Sequence, residues 1–148
     1  MDIIKLGKRP TLQANPECFS GVVWQEQIIE APEPARVRAL KVTFEPKAHT
    51  AWHTHPLGQT LYVICGIGLI GLRGQQPKQI AAGDTIWIPP EQEHWHGATP
   101  TNSMTHIAIQ EAEGANSTTW MEKVNEADYL HPDITPEKAY ASIFGSRI

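Results

Sequence analysis

Cysteine and basic residues are both scarce in this chain of 148 residues. The two cysteines, Cys18 and Cys65, make neither a disulfide framework nor a zinc ribbon. Lys and Arg number 12 against 16 Asp and Glu, which gives a formal net charge of −4. Such a chain lacks the positive surface that attracts nucleic acid or an anionic membrane. We therefore expect that the protein binds neither nucleic acid nor a membrane, and that its partner is a small molecule.

Long apolar runs are also missing. The most apolar stretch, 61–72 (LYVICGIGLIGL), is interrupted by glycines and is shorter than the about 20 residues that a membrane-spanning helix needs. The N-terminal sequence MDIIKLGKRP does not show the basic and then apolar order of a signal peptide. The expectation is a reduced, cytoplasmic protein without a membrane span.

Short apolar stretches separated by Gly, Pro and Asn make up most of the chain. This punctuation is typical of an all-β sandwich or barrel. Candidate strands lie at 19–29, 35–44, 58–72, 79–81, 85–88, 93–96, 104–111 and 118–124. The sequence therefore predicts an all-β fold with one antiparallel barrel.

The stretch MTHIAIQE at 104–111 has an unusual alternation. Residues two apart in a strand share a face, so His106 and Gln110 lie together, opposite Ile107 and Ile109. Both faces then carry residues that favour enclosure. This pattern predicts a barrel in which one face lines a cavity and the other packs a core.

Helix signals occur only near the end of the chain. Asn125, followed by acidic residues, is typical of an N-cap, and Pro136 stands where the first residue of a second short helix would be. We expect N-terminal strands and a dimer arm at 1–34, the barrel at 35–124, and short C-terminal helices or a tail at 125–148, all within one domain.

Histidine occurs in two close pairs, His53 with His55 and His94 with His96. On a strand, side chains two residues apart point to the same face about 7 Å apart, so each pair can reach one cation. A single pair of this kind is usually a surface pair or a hydrogen-bonded core pair. Two pairs, each flanked by apolar strands, favour a metal site, because coordination removes the cost of burying unpaired imidazoles.

Two segments resemble the motifs of the cupin family. HTHPLGQTLYVICGIG matches the first motif at His53, His55, Gln59 and Gly66, and GDTIWIPPEQEHWH matches the second at Gly83, Pro89 and His94. The resemblance spans roughly residues 36–112. It implies a small antiparallel jelly-roll barrel, in which one divalent metal ion would be held by His53, His55, Gln59 and His94.

Gln59 departs from most cupins, which have Glu at that position. A neutral amide leaves the site one charge unit more positive, so a bound metal ion is a stronger Lewis acid and Fe(II) is harder to oxidise. This favours acid–base or elimination chemistry over oxygen activation.

More of the chain resembles one group of cupins, those associated with carboxymuconolactone decarboxylases. Some members of this group are manganese-dependent hydroxynitrile lyases, which bind the metal ion through three His and one Gln. The match includes AWHTHPLGQTLYV, IPPEQEHWHGATPTNSMTHIAIQE and TTWMEKVNEADY. It implies a lyase that cleaves cyanohydrins to an aldehyde and cyanide. Either His96 or His106 would be the base, and Gln110 would assist the departing cyanide.

The pocket wall and the metal complete this hypothesis. Leu40 and Val42, together with Trp87 or Trp95, are expected to form the apolar wall. Mn(II) is the expected metal ion, with Fe, Ni, Co and Zn as alternatives, because many divalent ions compete for such ligands.

Two other functions use the same residues. One is an Fe(II) dioxygenase or a metal-dependent isomerase or decarboxylase, and the other is a small-ligand sensor without turnover. Exposed strand edges and the cupin resemblance also imply a homodimer or a homotetramer.

Overall fold

A computed structural model describes residues 1–130, in which almost every regular element is a β-strand. The strands are β1 (Thr11–Gln13), β2 (Phe19–Ser20), β3 (Val23–Glu30), β4 (Val37–Phe44), β5 (His49–Thr50), β6 (His53–Thr54), β7 (Gln59–Leu72), β8 (Lys78–Ala81), β9 (Thr85–Ile88), β10 (His94–Ala98), β11 (Met104–Glu111) and β12 (Thr119–Trp120). One short helix, α1, spans Glu126–Tyr129. The predicted all-β fold is confirmed: the strands form a curled antiparallel sheet, shaped as a half-barrel.

The sheet has two layers that share β7. In the first layer the order is β1, β3, β4, β11, the first half of β7, and then β9. In the second layer the remaining half of β7 pairs with β8 and β10, and β10 pairs with β5 and β6. The predicted boundaries of β7 are close to those observed, whereas β1, β5 and β6 were not predicted.

Gly66 is the point at which β7 passes between the layers. Its φ of +77° lies in the left-handed region, which favours glycine. A Cβ atom at this position would also clash with the carbonyl oxygen of Ser103. The glycines of the apolar stretch therefore allow a bend between two strand halves.

The predicted strand 19–29 is two strands, β2 and β3, separated at Gly21. Gly21 has a φ of +76°, and a Cβ atom there would lie 2.9 Å from the Cα atom of Ala48. The chain turns at this point, so that β2 joins β5 in the second layer while β3 joins β4 in the first.

Between the layers lies a core that includes Val23, Phe44, Leu61, Val63, Ile88 and Met104. The alternation in β11 predicted the buried face: Met104, His106, Ala108 and Gln110 are all buried, whereas Ile109 is 38% exposed. The other face of β11 is therefore half-open rather than packed into a second core.

The C-terminal end of the described chain covers the other side of the second layer. Asn125 caps α1 by accepting a hydrogen bond from the backbone of Asp128, which confirms the predicted N-cap. Tyr129 packs with Trp52 and Trp95, and its hydroxyl donates to the carbonyl of Ala98 at 2.8 Å. The second predicted helix, near Pro136, lies outside the described residues. Within residues 1–130, no helix is long and apolar enough to cross a membrane.

Candidate metal centre

Four buried histidines converge on the inner face of the second layer. The register of β6 and β10 places His53 directly opposite His94, with their ring centroids 4.1 Å apart. His55 follows β6, and its ring lies 5.0 Å from that of His53. His96 is two residues beyond His94 on β10, and its ring lies 5.2 Å from that of His53. Pairing of these two strands therefore unites the two His-x-His pairs in one cluster.

Three of these rings share one hydrogen-bond arrangement, in which Nδ1 lies close to a backbone carbonyl oxygen. The distances are 2.9 Å from His53 to Ala51, 2.6 Å from His55 to Ser117 and 2.8 Å from His94 to Gln92. Because a carbonyl oxygen only accepts, Nδ1 carries the proton and Nε2 keeps its lone pair. Metal-ligating histidines adopt this arrangement, in which the outer hydrogen bond fixes both the ring and its tautomer.

Gln59 completes the cluster. Its Nε2 atom donates to Oε1 of Gln110 at 3.1 Å, which turns its own Oε1 toward Nε2 of His94, 3.2 Å away. With the proton of His94 on Nδ1, these two facing atoms are both hydrogen-bond acceptors, and they repel each other. A cation between them would convert this repulsion into two ligand bonds.

The donor set fits a divalent metal ion. One ring nitrogen from each of His53, His94 and His96 lies within 4.8 Å of the other two. Nε2 of His55 and Nε2 of His96 are buried, and within residues 1–130 neither has a hydrogen-bond partner. Unpaired buried acceptors destabilise a fold, and coordination would satisfy them. Imidazole nitrogens and an amide oxygen are suitable ligands for first-row divalent metals.

His55 and His96 are alternatives for the third imidazole ligand. Distance favours His96, which belongs to the set of three nitrogens within 4.8 Å. The hydrogen-bond pattern favours His55, because its Nδ1 meets a carbonyl oxygen as in His53 and His94. Nδ1 of His96 instead lies 2.9 Å from Nε2 of His106, so these two rings share one proton.

Burial keeps the cluster neutral. It lowers the pKa of His53 and His96 well below the usual 6.5, and neighbouring histidines lower it further. Burial also lowers the pKa of His94 and of His106 to about 4. Enclosure in the metal-free protein therefore moves the pKa of both candidate bases, His96 and His106, below that of a free imidazole. At pH 7 all of these rings are uncharged and have a lone pair available.

A small cavity of about 50 Å³, which we call the inner cavity, lies beside the cluster. Leu40 and Val42 line it with Phe19, Ala108 and Trp120. Its polar walls include His53, His55, Gln59, His96, His106 and Gln110. His94 does not line this cavity and lies behind it, with no exposed surface.

The tryptophan that lines this cavity is Trp120, whereas Trp87 and Trp95, which the sequence suggested for the pocket wall, do not line it. Trp87 is next to the inward-facing Ile88 on β9, so its side chain is on the outer face, 59% exposed. Trp95 lies between His94 and His96 on β10, so its side chain is on the opposite face of the strand, where it packs against Tyr129. The register of β12 and β6 places Trp120 opposite His53, with the rings 4.7 Å apart. The sequence predicted a strand that includes Trp120 but not the pairing of this strand with β6.

Comparisons with known proteins agree with this architecture. The family model for the cupin domain matches residues 40–109. An (R)-mandelonitrile lyase from Granulicella tundricola is 44% identical over 129 residues, which cover 87% of this chain and 98% of that protein. A cupin-like protein from Thermotoga maritima is 32% identical, with a TM-score of 0.77 over 92% of this chain and 98% of that one. A polyketide cyclase from Streptomyces resistomycificus, 18% identical over 94% of this chain and 96% of its own, shares the fold with a TM-score of 0.69. This chain belongs to the cupin family.

Proposed function

We propose that this protein is a metal-dependent hydroxynitrile lyase, which cleaves an aromatic cyanohydrin such as mandelonitrile to an aldehyde and cyanide. The observation that carries the proposal is the 44% identity to an (R)-mandelonitrile lyase across nearly the whole chain. The histidine cluster and the adjoining apolar inner cavity are consistent with it.

His53, His94 and Gln59, with His55 as the third imidazole, would hold the metal ion. A divalent ion held by these residues would supply Lewis acidity, which lowers the pKa of a substrate hydroxyl group. We propose Mn(II), and Fe, Ni, Co and Zn are alternatives that the same donors accept. Metal analysis of protein purified without added metal, together with reloading by each ion, tests this choice.

We propose that His96 takes the hydroxyl proton of the cyanohydrin. Its Nε2 atom has no hydrogen-bond partner within residues 1–130, and its ring lines the inner cavity. When Nε2 accepts the proton, Nδ1–H donates to Nε2 of His106, which holds the ring in position. The carbon–cyanide bond then breaks, its electron pair leaves with cyanide, and the oxygen forms the carbonyl of the aldehyde. The proton on His96 passes to cyanide and gives hydrogen cyanide.

The apolar walls of the inner cavity lie next to the proposed reacting group. Leu40, Val42 and Ala108 present aliphatic surface, and Trp120 and Phe19 present rings with centroids 5.4 Å apart. These two rings suit a substrate with an aromatic group next to the reacting carbon.

The test is release of benzaldehyde from mandelonitrile at mildly acidic pH, where the uncatalysed reaction is slow. Metal-loaded protein is compared with protein stripped by a chelator, and with the His96→Ala variant loaded with the same metal. We expect release that depends on both the metal and His96. Equal rates for loaded and stripped protein would contradict the proposal and favour a small-ligand sensor.

We also propose that the protein self-associates through its N-terminal segment. β1 is the edge strand of the first layer, and Ile3, Leu6 and Leu12 are 60% exposed or more. An unpaired edge with exposed apolar side chains favours pairing with a second copy. Light scattering of the whole chain and of a Leu6→Lys, Leu12→Lys variant tests whether a dimer or tetramer forms through this segment.

A further inference from the structure

A second and larger cavity, which we call the outer cavity, continues from the inner cavity toward solvent. Its volume is about 360 Å³, against about 50 Å³ for the inner cavity. The residues that line both are Phe19, Gln25, Leu40, Gln110, Thr118 and Trp120. The two cavities are therefore one passage, narrow at the histidines and wide at the mouth.

The inner cavity is too small for a whole substrate. One water molecule needs about 10–15 Å³ of such space, so about 50 Å³ accommodates only a few non-hydrogen atoms. The reacting carbon, with its hydroxyl and nitrile groups, fills this volume. The rest of the substrate must extend along the contacting rings of Phe19 and Trp120, which line both cavities, into the outer cavity.

The wall of the outer cavity is polar where an apolar wall would be expected. The register of β3 and β4 places Gln25 opposite Val42 and Gln27 opposite Leu40, and both glutamines line the outer cavity. Gln25 is half-buried and Gln27 is exposed. An inward face that only covers a core is apolar. Among the described residues neither glutamine side chain has a hydrogen-bond partner, so each has a free carbonyl acceptor and a free NH2 donor.

The charges at the mouth balance each other. Arg38 and Glu30 are the charged side chains that line the outer cavity, and they form an ion pair at 3.4 Å. Arg38 also donates a hydrogen bond to the hydroxyl of Ser117 at 3.2 Å. The outer cavity therefore offers hydrogen bonds without a net charge, which suits a neutral polar group better than an anion.

We propose that the natural substrate carries a neutral hydrogen-bonding extension, such as hydroxyl or amide groups, which binds Gln25 and Gln27 in the outer cavity. The proposal rests on the proposed lyase function and specifies its substrate class as cyanohydrins with a polar substituent. Gln25 and His106 stand on strands separated by β4, so their backbones are about 10 Å apart. An aromatic ring with a short polar chain spans that distance.

The test is a binding measurement that requires no turnover. The probes are benzohydroxamate, whose head group chelates divalent metals, and the same compound with a carbamoylmethoxy group at the para position. Their dissociation constants for metal-loaded protein are measured by calorimetry. Two added hydrogen bonds are expected to make the extended probe bind about 5- to 100-fold more tightly.

The variants Gln25→Met and Gln27→Met, separately and combined, remove the amides while keeping side-chain length. In the double variant the affinity ratio of the two probes should fall to about one. Gln13→Met is the matched control, because Gln13 is exposed on β1 opposite Trp24 and lines neither cavity. In this control the ratio should stay at the wild-type value.

An affinity ratio of the two probes near one in the wild-type protein overturns the extension proposal. A ratio that stays at the wild-type value in the double variant also overturns it. Failure of both probes to bind overturns it as well. Benzaldehyde release from mandelonitrile is assayed separately, so failure of the lyase proposal is recognised independently. A protein that cleaves mandelonitrile but binds both probes equally would retain its proposed reaction and lose the proposed substrate class.

Discussion

Gln110 fixes the orientation of Gln59. The Oε1 atom of Gln110 accepts a hydrogen bond from Nε2 of Gln59 at 3.1 Å, and both side chains are buried. An amide group can otherwise turn either its oxygen or its nitrogen toward a neighbour, and only the oxygen can bind a cation. Gln110 therefore acts on the candidate metal centre through Gln59. Its expected role beside a departing cyanide stays a prediction.

Replacing Gln110 tests this orienting role. In Gln110→Leu the NH2 group of Gln59 loses its acceptor, and we expect metal affinity to fall by about 10- to 100-fold, as for other outer hydrogen bonds at metal sites. Gln110→Glu retains an acceptor and should bind metal at least as tightly as the wild type. Affinity is measured by titration with Mn(II) and detection of the free ion by electron paramagnetic resonance. Equal affinity for the Leu variant and the wild type would exclude the orienting role.

The choice between His55 and His96 as third ligand has a separate test. We expect both His53→Ala and His55→Ala to lose stoichiometric metal, because the three rings of the cluster whose Nδ1 meets a carbonyl oxygen are ligands in this assignment. His96→Ala should retain one metal ion per chain and lose lyase activity. Metal content after gel filtration decides between them. Retention of metal by His55→Ala together with its loss by His96→Ala would reverse the assignment.

The spacing of residues along the chain was sufficient to predict much of this site. The alternation in β11 placed His106 and Gln110 on one face because strand parity depends only on neighbouring residues. The two His-x-His pairs indicated a metal site for the same reason. Spacing does not reveal which strands become neighbours over long separations. It therefore missed the pairing of β12 with β6, which brings Trp120 against His53 and leaves Trp87 outside.

The protonation state of the histidines was also beyond sequence analysis. The pKa of His106 falls to about 4 because the ring is completely enclosed, and enclosure is a property of the assembled layers. The separation of β2 from β3 at Gly21 also depends on the assembled structure, because it involves a close approach to Ala48. These features require the tertiary structure.

Acid should destabilise the metal-free protein. The pKa values of His94 and His106 are about 4 in the folded chain, against a usual value of 6.5, so the unfolded chain binds more protons between these values. The contribution to stability is complete above pH 6.5 and is lost as pH falls toward 4. Each such histidine contributes a slope of up to about 1.4 kcal/mol per pH unit. Urea unfolding of the metal-free protein at pH 7.5, 6.0 and 5.0 measures the slope, which His106→Gln should reduce. A free energy of unfolding that stays constant across this range would contradict the prediction.

Trp120, which lines both cavities, should set the affinity of the protein for aromatic substrates. Its ring contacts Phe19 and His53 at the neck of the passage, with centroid distances of 5.4 Å and 4.7 Å. Aromatic pairs contribute about 0.5–1.5 kcal/mol, so Trp120→Ala should raise the KM for mandelonitrile about 2- to 10-fold. Trp24→Ala is the matched control, because Trp24 has similar exposure, 37% against 40%, and lines neither cavity. We expect the control to keep the wild-type KM. An aliphatic cyanohydrin should lose less affinity than mandelonitrile in Trp120→Ala, and equal losses for the two substrates would show that Trp120 supports the cavity only by packing.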